Sequence, residues 1–194
     1  MAMAAEALSG GFEDAPRQSA RAFRAALEAM GRPGSVHELT DLATAPAPVS
    51  PAAATLMLVL CDPGTPVHLA GDHDSPAVRD WITFHTGAPI VGPEQATFAL
   101  GTWGALGPLS AYAIGTAEYP DRSATLIVEG PGAVQAVTLA GPGIRSVTEA
   151  ALPGVAALQE NAALYPLGLD FYFTEGAALM ALPRSTRITL REAN

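Results

Sequence analysis

The stretch Ser123-Ala124-Thr125-Leu126-Ile127-Val128-Glu129 decides the fold class. It is rich in strand-forming residues and wholly apolar at its centre. Gly130-Pro131-Gly132 then turns the chain, and the alternating run Val134 to Leu139 is expected to pair with the first strand. Further along, Leu169 to Phe173 and Leu179 to Leu182 flank the turn Glu175-Gly176, a hairpin by composition. Gln95 to Leu100, Pro66 to Leu69 and Val36 to Leu39 read as shorter strands.

Helical patterns are interspersed with these strands. Asp14 is placed as an N-cap with Pro16 in the first turn. Ala20, Phe23, Leu27 and Met30 then recur at helical spacing, with Arg17, Arg21, Arg24 and Glu28 on other faces, until Gly31 and Pro33-Gly34 stop the helix. Ser50-Pro51 opens a second helix whose run Leu56 to Leu60 is apolar almost all round, so it should be buried on most sides. Ser75-Pro76 opens a third through Val78, Trp81 and Ile82, ending near Gly87, and a fourth runs from Pro153 to Leu164. No internal repeat or linker interrupts the 194 residues, and the economical reading is one α/β domain over 1–194, with residues 1–11 as a flexible N-terminus.

Composition narrows the function. Apolar residues make up 49% and charged residues 15%, and 19 Gly with 17 Pro imply many tight turns in a compact domain. Pro51 to Cys61 is the longest apolar stretch, too short to cross a bilayer, and the N-terminus lacks the basic region of a secretory signal. A soluble cytoplasmic chain without membrane contact is the expectation. Net charge is −9, every one of the ten basic residues is Arg, and there is no Lys. A Walker A loop needs its Lys, and so does a Schiff-base cofactor enzyme; both are excluded. Nucleic-acid binding would need a basic patch that so acidic a chain hardly supplies.

Several residues invite a chemical reading, each beside a plainer one. His85, in Phe84-His85-Thr86-Gly87, is either a general base at a loop opening or a helix C-terminal residue stabilised by the dipole. Asp72-His73-Asp74 has metal-ligand residue types, but adjacent side chains diverge and no second cluster completes a sphere; a solvated loop is expected and no metal. Cys61 has no activating neighbour and reads as a packed core thiol. Pro183-Arg184-Ser185-Thr186-Arg187 is either an anion-holding segment or a strand exit with exposed arginines. No reaction emerges from these residues alone.

An ordered set of segments carries a resemblance. It comprises Phe23-Arg24 with Leu27, Ala29-Met30 and Pro33-Gly34; Phe84 to Pro89; Pro93 to Phe98; Gly115 to Pro120 with Ala124 to Ile127; Leu139 to Ile144; Pro166 to Asp170; and Pro183 to Thr186. Together these resemble the PhnH family over roughly residues 12 to 190. Thr83 departs from the pattern where a basic residue is expected, and Tyr165 where another aromatic is usual.

The resemblance implies a subunit of the bacterial carbon–phosphorus lyase machinery. Such a subunit acts with PhnG, PhnI and PhnL in joining the ribose triphosphate of ATP to a phosphonate, in a core that also contains PhnJ. It implies a mixed sheet flanked by helices in a three-layer arrangement, like the fold of pyridoxal-phosphate-dependent transferases, and a tendency to homodimerise. Without Lys that lineage cannot form an internal aldimine, so no cofactor is expected. The function expected is an accessory, non-catalytic transferase subunit. The alternatives are a contribution of His85, Arg184 or Asp170 to a shared active site, or a stand-alone small-molecule binding protein.

Overall fold

The computed structural model describes residues 8–130 and 132–191. The elements begin with helix α1 (Ala15–Gly31), strand β1 (His37–Glu38), helix α2 (Pro51–Leu60), strand β2 (Val67–Leu69), helix α3 (Pro76–Thr86) and strand β3 (Phe98–Gly101). A short helix α4 (Trp103–Leu106), strands β4 (Thr125–Glu129), β5 (Val134–Ala140) and β6 (Thr148–Pro153), and helix α5 (Val155–Ala163) follow. Strands β7 (Asp170–Glu175), β8 (Ala178–Leu182) and β9 (Arg187–Leu190) complete the order.

Six strands form a mixed sheet in the order β1-β8-β7-β4-β3-β2. β2, β3, β4 and β7 are parallel, whereas β7–β8 and β8–β1 are antiparallel. Side-chain alternation then sorts the core into two. Leu100, Ile127 and Tyr172 face the layer of α1, α2 and α3. Ala99, Leu126, Val128, Phe171 and Phe173 face the other way, toward α5 and a second sheet. That second sheet, β6-β5-β9, is antiparallel. The α/β expectation with a mixed sheet holds, but only one face of that sheet is covered by helices alone.

The helices begin where capping chemistry sets them. The Ser50 hydroxyl accepts from the Ala53 amide and the Ser75 hydroxyl from the Val78 amide, each followed by a Pro in the first turn. Ala52, Ala53, Ala54, Leu56 and Met57 of α2 are wholly buried, and the small residues of its first turns let the neighbouring elements approach closely. α3 ends at Gly87 with φ +69°, a left-handed cap that Gly adopts at no steric cost. Gly154, φ +51°, leads into α5 with the Trp103 ring pressed where a Cβ would stand, 2.2 Å away.

Several sequence expectations change. Val134 to Leu139 does not pair with Ser123 to Glu129, because β4 already has β3 and β7 on its two edges. β5 is solvated on one face along part of its length and belongs to the smaller sheet. Of the stripe Ala20, Phe23, Leu27 and Met30, only Met30 packs against the core; Ala22, Ala26 and Ala29 are buried instead, and Phe23 and Leu27 remain 45% and 56% exposed. Gln95 closes a 3-10 turn, and its strand starts only at Phe98. β6 and β9 fall outside the strands expected from sequence, and Pro153 closes β6 where a helix was expected to open. Residues 1–7 of the expected flexible N-terminus lie outside the described residues, while Gly10 is tied in, its carbonyl accepting from the Thr44 amide at 2.8 Å.

Leu126 is wholly buried between the two sheets, so Leu126→Ala should cost about 2–5 kcal/mol in urea unfolding. Leu190→Ala, at a position 46% exposed, should stay within about 0.5 kcal/mol. Equal losses at the two positions would contradict this placement of the core.

Candidate functional site

In open parallel sheets the crevice beyond the strand C-termini is where ligands gather. Here β4 ends in Glu129, and that place is filled from within. The Ser50 hydroxyl and the Thr174 hydroxyl each donate to Glu129 Oε1 at 2.7 Å, and the Ser50 amide donates to Oε2 at 3.0 Å. Ser50 is the N-cap of α2, so the carboxylate also sits at the positive end of that helix. His73, in the 3-10 turn after β2, brings Nε2 to 4.0 Å from Oε2. That is too long for a hydrogen bond, and neither ring nitrogen has another partner although the residue is 2% exposed.

Burial alone would push the Glu129 carboxyl up. The nearby His73 ring and the hydrogen bonds from Thr174 and from the hydroxyl and amide of Ser50 outweigh it, and the group is held below the ordinary Glu value. The ionised carboxylate is therefore the resident anion of the α2 N-terminus, occupying donors that could otherwise meet a phosphate. The cluster has the residue types of a hydrolytic triad in the wrong order. Ser50 bonds the carboxylate and not the imidazole, so no base is positioned to activate its hydroxyl. Ser50, His73, Glu129 and Thr174 are far apart in sequence, and no local pattern groups them. The available signal was a carboxylate closing an apolar strand at its C-terminal end.

The candidates named from sequence lie elsewhere. Asp170 opens β7 and Arg184 follows β8, and the two form a two-pronged pair: Arg184 Nε to Oδ1 at 3.1 Å and Nη2 to Oδ2 at 2.5 Å. The Arg184 amide also donates to Asp170, and Nη1 donates to the Pro120 carbonyl. This guanidinium is committed to fastening the 116–122 loop to the end of the sheet where β7 begins and β8 finishes. His85 joins neither residue. Its Nε2 donates to the Ser9 carbonyl at 3.1 Å, and its ring packs against Trp81 and Phe84 with centroids 4.8 and 4.9 Å away.

Cys61 is buried at the end of α2, and its thiol is pushed up to about 12, first by burial and then by the charge of Asp62, with the Thr65 hydroxyl opposing. It is the inert core thiol expected. In Asp72-His73-Asp74 the three side chains do diverge, but His73 points into the protein, so only its neighbours are solvated. Asp74 pairs with Arg79, whose hydrogen bond chiefly holds the carboxyl below its usual range. Among the described residues no three His, Cys, Asp or Glu side chains converge to hold a metal ion, and no helix is long and apolar enough to cross a membrane.

Comparison with known proteins supplies what geometry does not. The family model described as bacterial phosphonate metabolism protein (PhnH) matches residues 10–189. A protein of Rhizobium meliloti (strain 1021), alpha-D-ribose 1-methylphosphonate 5-triphosphate synthase subunit PhnH, is 34% identical over 195 residues, covering 93% of this chain and 94% of its own length.

Glu129→Gln keeps the shape but sets an amide against three donors, and should cost about 1–3 kcal/mol at pH 7. Because the folded carboxyl is lowered, its stabilisation is full above the unfolded value near 4.5 and is lost as pH falls through the folded value. The difference between wild type and variant in urea titrations should therefore shrink as the solution is acidified below pH 4.5. A gap that stays constant into strong acid would show that the carboxylate is not ionised in the fold.

Proposed function

The chain belongs to the PhnH family of bacterial phosphonate metabolism proteins, and from that premise we propose that it is an accessory, non-catalytic subunit of an alpha-D-ribose 1-methylphosphonate 5-triphosphate synthase. One observation carries the non-catalytic half. The crevice beyond the strand C-termini is closed by Glu129, Ser50, Thr174 and the buried His73. A substrate as anionic as ATP with a phosphonate would meet a carboxylate there. The chain's net charge of −9, its lack of Lys and the engagement of Arg184 point the same way.

Under this reading the partners are PhnG-, PhnI- and PhnJ-like subunits, with PhnL linked functionally, in the cytoplasm, and the isolated chain pairs with a second copy. The mixed sheet with its helix layer is read as a relative of the pyridoxal-phosphate-dependent transferase fold that keeps the scaffold and not the lysine. A second reading places His85, Arg184 or Asp170 in an active site shared with a partner. The half-exposed ring of His85 beside the exposed Phe84 is the feature in its favour.

The purified chain should co-elute with PhnG-, PhnI- and PhnJ-like subunits on size exclusion. His85→Ala should leave both that assembly and its turnover within about threefold of wild type. Intact assembly with turnover reduced a hundredfold would favour the shared active site instead.

A further inference from the structure

Helix α1 has two apolar stripes, and the fold uses one. Ala22, Ala26 and Ala29 pack on the sheet and α2, and the Ala26 carbonyl accepts from the Tyr172 hydroxyl at 3.2 Å. On another side of the same helix Pro16, Ala20, Phe23 and Leu27, spaced three and four apart, are all exposed. Large apolar side chains in a continuous row with a charged border mark an interaction surface.

The border is basic. α1 carries Arg17, Arg21 and Arg24 against Glu28 alone, on a chain whose net charge is −9. Arg17 and Arg21 reach Asp14 at 3.6 Å and Asp41 at 3.0 Å. Arg24 has no ion pair among the described residues, nor has Arg32 just past the helix end. With Leu27, Glu28 and Gly31 these two line a shallow depression. Positive charge is thus gathered where the apolar row is open. A second copy would bring Arg24 and Arg32 again, setting these unpaired charges against their own kind at the open end of the stripe.

We propose that the Phe23–Leu27 face of α1 docks on a companion synthase subunit, against an apolar surface bordered by aspartates or glutamates that meet Arg24 and Arg32. Phe23 and Leu27 are the anchors, and the arginines set orientation and encounter rate. This rests on the accessory-subunit reading and adds to it the surface and the chemistry of the partner.

The test titrates wild type, the double variant Phe23→Ser/Leu27→Ser, and Arg24→Glu into a purified assembly of PhnG-, PhnI- and PhnJ-like subunits, with thermal unfolding of each variant alongside. The double variant should keep its melting temperature and bind about 30-fold more weakly. Arg24→Glu should lose about tenfold, and wild-type affinity should fall as salt rises. Wild type binding with both variants within threefold of it would overturn the proposal. So would a double variant that turns a dimer into a monomer in sedimentation while its affinity for the assembly is unchanged, since a second copy would then be the occupant. A wild type that does not bind the assembly at all removes the accessory reading, and this inference falls with it.

Discussion

Two-sided burial of β4 is the constraint on which the architecture turns. Ile127 belongs to the core under the helices, while Leu126 and Val128 belong to the core under the second sheet. A strand buried on both faces needs both edges paired as well, since an unpaired amide or carbonyl there would have no water to meet. β3 and β7 supply those edges, in register from Phe98 and Asp170 onward. The helix layer and the small sheet are the two covers this arrangement calls for.

The same strand explains why the usual ligand position is closed. β4 delivers Glu129 to the N-terminus of α2, where Ser50 serves at once as helix cap and as donor to the carboxylate. Thr174, on the neighbouring strand β7, completes the grip. An internal anion held by a helix N-terminus stabilises the joint between helix layer and sheet. It also occupies donors that a phosphate would need. The exposed apolar row of α1, with Arg24 and Arg32 beside it, is the surface we assign to contact with another protein.

Much of this was legible in the residues. The capped starts at Ser50-Pro51 and Ser75-Pro76 and the β7–β8 hairpin follow from local chemistry and hold, and the strand expected at Ser123 to Glu129 forms from Thr125 onward. Local chemistry failed where two answers fitted one pattern. On α1 the row at 20, 23 and 27, with its large Phe and Leu, looks like the core stripe, yet the residues buried there are Ala22, Ala26 and Ala29. β5 looked like the partner of β4 because it comes next in the chain, whereas both edges of β4 were taken by strands from before and after it. The hydrogen bonds of the Glu129 cluster reach across as many as 79 positions, and no short motif could announce it. Family membership came from the ordered set of weak segments, spread over nearly the whole chain.

On the proposed function, this chain supports phosphonate chemistry without performing it. Phosphorus NMR of the isolated protein incubated with ATP and methylphosphonate tests that most directly, with the reconstituted subunit assembly run in parallel. The account predicts unchanged ATP and phosphonate resonances for the chain alone, and a new ribose-linked phosphonate signal only when the other subunits are present. Formation of that product by the isolated chain would contradict it.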